Sequence, residues 1–308
     1  MNVPRFVITT DSYFDGASHH ADGPYGIFVH GEVIEKVVAG DPNISRDHFP
    51  EAYRQQGVET VRANFVMPGL VEAHCHLFLD GAELDFKRRK DYLAAPFEEM
   101  VGVAKKNLEQ TADCGITLLR EAGDIHGVNT RIKEESDGGS PIEVLSAGKA
   151  IRKAKRYGSF MAREVTDAES IVRVIREIAP SASQLKVLLT GIIDFEKGTM
   201  KGGPQFSLEE TKLIVDTARE LNLRTFAHCS GEDGLEIALE AGIDSIEHGF
   251  FMSRRILEGM ARKGIAWIPT YSPVDFQLQR PELAGWNSET CDRLRAILEN
   301  HDQHVALA

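Results

Sequence analysis

Cysteine is scarce in this 308-residue chain: Cys75, Cys114, Cys229 and Cys291 lie far apart, with no C-x-x-C spacing. Neither a disulfide framework nor a cysteine-based zinc site is indicated, and a reducing, cytoplasmic setting is expected. Positive charge is also in deficit. Thirty-five Lys and Arg against 47 Asp and Glu leave a formal charge of −12, which excludes the broad basic surface of a nucleic-acid or anionic-membrane binder. No stretch approaches the roughly 18 uninterrupted apolar residues of a membrane span, and Met1 to Arg5 lack the charged-then-apolar plan of a signal peptide. What remains, 42% hydrophobic and 27% charged residues, is ordinary globular composition, large enough for one big domain or two modest ones. A small-molecule substrate is the expected partner.

Two textures divide the chain. Residues 1–65 hold short β-rich runs, Phe6 to Thr10, Gly26 to His30, Val33 to Val38 and Val58 to Val61, punctuated by Asp15-Gly16, Asp22-Gly23-Pro24 and His30-Gly31. From residue 66 to 308, strand-like apolar runs alternate with segments of helical periodicity, the rhythm of βα units around a parallel sheet. Seven strands are predicted, at 65–71 leading into 74–76, and at 115–120, 141–147, 184–190, 224–229, 244–249 and 265–270. Capping-box spacing in Thr166 to Glu169 and in Ser207 to Glu210 predicts two helix starts, and Gly242 and Gly264 predict two helix ends. Residues 197–206, rich in glycine, predict a long loop; residues 288–308 predict a final helix with Leu294, Ile297, Leu298 and Val305 recurring at helical intervals.

The strongest chemical signal is His74-Cys75-His76. Period-two alternation sets both imidazoles on one side of an extended segment, where they can converge on a metal ion or simply be satisfied or exposed histidines. His228 and His248 each end a later predicted strand. In a (β/α) barrel the strand ends converge on one mouth, so the four histidines form a ring there. Lys186 shares an inward parity with Leu188 and Thr190. Such a buried amine either pairs with an acidic neighbour or, desolvated, reacts with CO2 to give a carbamate. Arg152 and Tyr157, in a basic loop after the third strand, are candidates for holding a substrate carboxylate, against the plainer reading of a solvated loop. Arg120 and Glu121 end the second strand, as outer partners of the site or of each other. His301 and His304 on the last helix are expected at the surface, and His19, His20, His30, His48 and His126 in turns and loops. Cys75 and Cys229 are expected to point away from the histidines as small packing residues.

The run Val66 to His76, the fourth-strand lysine, Ala227-His228-Cys229, Ile246 to Gly249 and Pro269-Thr270 resemble the metal-dependent amidohydrolase superfamily, in its imidazolonepropionase-like and prolidase-like branch. The resemblance implies an α/β fold, a (β/α)8 TIM barrel with a small β-sandwich module at residues 1–65 and a catalytic barrel from residue 66. It implies that His74 and His76 bind one divalent ion, His228 and His248 a second, and that Lys186 bridges them as a carbamate. Imidazole and carboxylate-type oxygen suit Zn, Mn, Fe or Co, with zinc the first expectation. Self-association is implied as well. The family's aspartate at the end of an eighth strand has no match, so a barrel of seven strands lacking its C-terminus is expected, with the catalytic acid and base unassigned.

The implied activity is hydrolysis of an amide-type C–N bond in a small acyl amino acid, dipeptide or cyclic amide. An alternative is a deaminase of a small heterocycle, with one metal on His74, His76 and His228, His248 touching substrate and Lys186 structural. A third is an inactive partial barrel that only binds.

Overall fold

The computed structural model describes residues 4–40, 50–54, 58–137 and 139–308; the predicted turn histidine His48 and residues 1–3 of the N-terminal stretch lie outside them. The chain divides into two compact units, Met1–Gly69 and Leu70–Ala308.

The first unit is built on β1 (Arg5–Phe14), whose length lets it serve several partners. β2 (His19–His20) and β3 (Tyr25–His30) run antiparallel to it, β4 (Val33–Ala39) extends β3, and β5 (Glu59–Val66) lies parallel to β1. His19 and His20 thus form a strand where a turn was predicted. Their connection is tightened by Asp15, whose carboxylate accepts from the Ala17 and Ser18 amides and from His20. Val7, Phe28 and Tyr53 make a small core. Among the described residues this unit is a single five-stranded sheet; the second layer of the expected sandwich is not among them.

The predicted strand at 65–71 is corrected. Val66 ends β5 of the first unit, and the next strand, β6, starts only at Leu70 and runs to Cys75. Pro68 has no amide hydrogen for a ladder and Gly69 has no side chain to pack, so the link between them is unpaired.

The second unit is an α/β fold of TIM-barrel type. After β6 come α1 (Phe86–Tyr92), α2 (Phe97–Asp113), β7 (Ile116–Glu121), α3 (Val128–Ser136) and β8 (Glu143–Ser146). β9 (Ala150–Lys153) and β10 (Ala162–Val165) follow, then α4 (Ala168–Ile178), β11 (Leu185–Leu188), a hairpin of β12 (Ile193–Asp194) and β13 (Thr199–Met200), and α5 (Leu208–Glu220). The chain continues through β14 (Thr225–Cys229), α6 (Glu232–Ala241), β15 (Ser245–His248), α7 (Arg254–Lys263), β16 (Ala266–Ile268), α8 (Ser272–Gln279), α9 (Pro281–Ala284) and α10 (Ser288–Val305).

β6, β7 and β8 pair in parallel, as do β11, β14, β15 and β16. The two arcs meet where the Ser183 amide donates to the Ser146 carbonyl at 2.7 Å. Strand alternation sorts the side chains. Val187, Ala227, Cys229 and Ile246 join the core shared with Ile171 and Ile175 of α4 and Ile214 and Val215 of α5, while Lys186, Phe226 and Glu247 take the other parity. Local signals act as predicted at Ser207, which forms a capping box with Glu210, and at Gly242 and Gly264, left-handed with φ of 76° and 66°. At α4 the box sits one residue later than predicted: Asp167, not Thr166, caps the helix and Ser170 reaches back. The glycine-rich segment 197–206 is a loop apart from Thr199–Met200. Among the described residues no helix is long and apolar enough to cross a membrane.

Candidate metal centre at the barrel mouth

His74, His228 and His248 sit at the ends of β6, β14 and β15, with His76 just past β6. Their rings stand close: centroids are 5.5 Å apart for His74 and His76, 4.9 Å for His74 and His248, and 4.5 Å for His228 and His248. Each ring has one nitrogen engaged by the protein. His74 Nδ1 lies 2.5 Å from the Glu247 carboxylate, and His76 Nδ1 lies 3.1 Å from the Gly123 carbonyl. His228 Nε2 lies 2.9 Å from the Gly191 carbonyl, and His248 Nδ1 lies 2.6 Å from the Thr270 hydroxyl. The second nitrogen of each has no hydrogen bond to a described residue. A protein-held first nitrogen and an unclaimed second one is how a ligand histidine is oriented.

Burial holds these imidazoles neutral, the form in which they ligate. It pushes His76 down to about 3 and His228 to about 4, with the Lys186 charge adding to it, and drives His74 and His248 well below the usual histidine range. Lys186 is 1% exposed, and its amine has no hydrogen-bond partner among the described residues. It stands 4.8 Å over the Phe226 ring, and burial pushes it down to about 7. The ion pair with an acidic neighbour, one of the two readings of this residue, is not formed among the described residues. Four neutral imidazoles and a buried, partnerless amine are a donor set suited to divalent cations. Among the described residues no group of three or more His, Cys, Asp or Glu side chains is arranged so as to hold a metal ion by itself.

A buried carboxylate organises the centre. Glu247, with no exposure, accepts from Arg120 Nη2 at 2.8 and 2.9 Å, from the Ser245 hydroxyl and from His74. Arg120 is thus paired with Glu247, not with its neighbour Glu121. Its guanidinium also lies 4.5 Å from the Phe226 ring centre. Glu121 accepts from the Gly123 amide and Asn129, which shapes the turn whose carbonyl meets His76; burial, reinforced by Asp124, pushes it up to about 8.

Sequence reasoning passed over Glu247, although Ser245 and Glu247 share an inward parity in a short buried strand, which was a legible signal. It also set His301 at the surface, whereas His301 is 1% exposed, stacked on Phe250 at 4.0 Å, with Nε2 3.1 Å from the Pro269 carbonyl. Its face of α10 was readable, since Leu294, Ile297, Leu298 and His301 recur at helical spacing.

Tyr157 borders the mouth, its ring 5.4 Å from that of His228. Arg152 is corrected: it is buried away from the mouth, its guanidinium engaged by Glu164 and the Arg156 carbonyl. Cys75 and Cys229 pack into the cores outside the strands, as expected. Asp244 accepts from the Thr225 amide and hydroxyl, and Asp194 lines the mouth cavity beside Lys197.

The family model described as the amidohydrolase family matches residues 65–305. An uncharacterised protein of Mycobacterium tuberculosis is 30% identical over 218 residues, covering 70% of this chain and 53% of its own length. The ochratoxinase of Aspergillus niger is 25% identical, covering 83% of this chain and 58% of its own length. The chain therefore spans somewhat more than half the length of the curated relatives it matches. The crystal structure of the A. niger ochratoxinase superposes with a TM-score of 0.80 at 22% identity, over 98% of this chain and 72% of that one. That of a Xaa-Pro dipeptidase with bound methionine does so at 0.76 and 20%, over 97% and 75%.

Proposed function

The chain belongs to the amidohydrolase family, and from that premise we propose a metal-dependent hydrolase that cleaves amide-type C–N bonds in small acyl amino acids, dipeptides or cyclic amides. The observation that carries this reading is the partnerless buried amine of Lys186 beside four imidazoles that each keep one nitrogen unclaimed. Under it, His74 and His76 hold one ion and His228 and His248 a second. Lys186, carboxylated by CO2 with loss of a proton, would supply anionic oxygen donors to them. Zinc is the metal proposed, since tetrahedral sites with imidazole and oxygen donors suit it. Bound divalent ions supply Lewis acidity, which activates water and polarises the scissile carbonyl.

The protein's own residues do the positioning. Glu247 and the Gly123 and Gly191 carbonyls, which can only accept, fix the tautomers of His74, His76 and His228, and with Thr270 beside His248 they set the tilt of each imidazole. Tyr157 forms part of the wall on which substrate rests. The name of one structural neighbour, a Xaa-Pro dipeptidase, falls within this substrate range. In the mononuclear deaminase reading Lys186 is structural, and the absence of an ion-pair partner for its amine among the described residues favours the carbamate reading.

The test is metal content together with turnover. The zinc-loaded chain is expected to retain about two ions, as a site with two histidine pairs and a bridging anion requires. It is also expected to hydrolyse members of an N-acyl amino acid, dipeptide and cyclic amide panel, and Lys186→Ala to lose both properties. One ion per chain, with ammonia released from a heterocycle and Lys186→Ala unaffected, overturns the proposal.

A further inference from the structure

One more buried histidine, His301 of α10, takes no part in the ring at the mouth, yet it touches each segment that holds His248 in place. Its ring stacks on Phe250 with centroids 4.0 Å apart and meets the Trp267 indole edge to face at 5.3 Å. Phe250 lies two residues beyond His248, and Trp267 donates to the His248 carbonyl at 3.0 Å. Nε2 of His301 lies 3.1 Å from the Pro269 carbonyl, and Pro269 precedes Thr270, whose hydroxyl is 2.6 Å from His248 Nδ1. Burial pushes the pKa of His301 down, so its ring is neutral. A carbonyl only accepts, so Nε2 carries the single proton. That leaves Nδ1 a buried lone pair with no partner among the described residues. An apolar ring would fill the same space without that cost. The polar one is explained by the bond it donates.

That bond falls on a strained stretch of backbone. Thr270 takes a φ of 45°, in the left-handed region, where a β-branched side chain is a rare occupant. His248 and Phe251 share the region, with φ of 69° and 61°. Three of the five non-glycine residues of positive φ among the described residues therefore lie in the two segments that His301 packs against. Such strain persists only where neighbours over-determine the conformation. At Thr270 those neighbours are consecutive residues of α10. His301 binds the carbonyl before it, and Asp302 accepts from the Tyr271 hydroxyl after it at 3.3 Å. The Asp302 bond is exposed to water, so the more sheltered bond from His301 is the stronger hold.

Resting on the reading of His248 as a metal ligand, we propose that His301 is a positioning residue for it. By donating to Pro269, His301 keeps Thr270 in the conformation that presents its hydroxyl to His248 Nδ1, and so fixes the imidazole with Nε2 free for an ion. Without that bond the segment relaxes, the hydroxyl leaves Nδ1, and the His248 ring exchanges between its two tautomers. The effect is confined to the ion that His248 holds.

The test uses the full chain in three variants. His301→Phe keeps a stacked ring and removes the donor. His301→Gln carries an amide N–H long enough to reach Pro269, and His301→Asn carries the same amide on a chain too short to reach it. By chelator competition on the zinc-loaded chain, one ion should be held about 10- to 100-fold more weakly in His301→Phe and His301→Asn, the range for partners of metal-bound histidines. The other ion should be unchanged, and His301→Gln should behave as wild type. In the metal-free chain, nitrogen NMR should show one His248 tautomer in wild type and His301→Gln and an average of two in the other variants. Because the effect passes through Thr270, His301→Asn should add little to the loss of zinc affinity already caused by Thr270→Val. Additive losses in that pair overturn the proposal, as do wild-type zinc affinity and a single His248 tautomer in folded His301→Asn. If His301→Phe does not fold, the Asn and Gln variants decide by themselves, since they differ only in reach. An averaged His248 ring with both ions still held as in wild type upholds the positioning role and overturns the reading of His248 as a ligand instead.

Discussion

Glu247 illustrates how one buried carboxylate sets the chemistry of its neighbours. An ionised group with no exposure is tolerated only when its lone pairs are occupied, and here Arg120, Ser245 and His74 occupy them. The same contacts hold Arg120 over Phe226 and leave His74 Nε2 unclaimed. Glu247→Gln removes the charge that balances Arg120 and offers one acceptor oxygen where two were used. We expect a loss of about 3 kcal/mol in unfolding free energy, the order seen when one member of a buried pair is removed. On the proposed reading of His74 as a metal ligand, zinc affinity should fall about 10- to 100-fold, as for other partners of metal-bound histidines. Urea denaturation reads the first, and competition with a chromophoric chelator, in conditions where the variant is folded, reads the second. Wild-type affinity in the folded variant would show that Glu247 serves stability alone.

At the scale of elements, the end of β15 is where backbone geometry and site meet. His248 takes a positive φ of 69° and Gly249 one of 64°, so the strand stops abruptly and turns the imidazole toward the other rings. A non-glycine residue in this region is strained, and such strain persists where the surroundings over-determine it. Trp267 of β16 supplies part of that constraint, its Nε1 donating to the His248 carbonyl at 3.0 Å, and Thr270 supplies more through Nδ1. The indole lies so close that a Cβ on Gly249 would stand 2.3 Å from Trp267 Nε1. Gly249→Ala is therefore expected to displace the indole and cost about 1–3 kcal/mol, visible as a lower urea midpoint with altered tryptophan fluorescence. A variant with wild-type midpoint and emission would mean that the turn is not under this constraint.

At the scale of the molecule, each unit is stabilised by its own core, and the barrel unit has the larger one. The faces of α4 to α7 close over the outward side chains of β11, β14 and β15. Ile175, fully buried on α4, packs in that layer. Ile175→Ala should cost about 2–5 kcal/mol, read by chemical denaturation, while leaving the zinc content of the folded fraction unchanged. A cost under about 1 kcal/mol, which is what an exposed position gives, would mean that the α4 layer is not packed as described.

Much of this fold was legible because its signals act over a few residues. The strand and helix alternation, the cap at Ser207, the helix ends at Gly242 and Gly264, and the inward parity of Lys186 follow from side-chain period and backbone stereochemistry alone. The histidines were identifiable for the same reason, since the end of a barrel strand is a local feature with a global position. Their surroundings were not. Glu247 meets His74 across 173 residues of chain and Arg120 across 127, and Arg152 meets Glu164 rather than the cavity. Whether a lysine finds an acidic partner depends on distances between segments that only packing brings together. Sequence alone determined which chemically competent side chains stand at the strand ends; the tertiary structure decided which are already engaged, because hydrogen bonds and ion pairs form between neighbours in space.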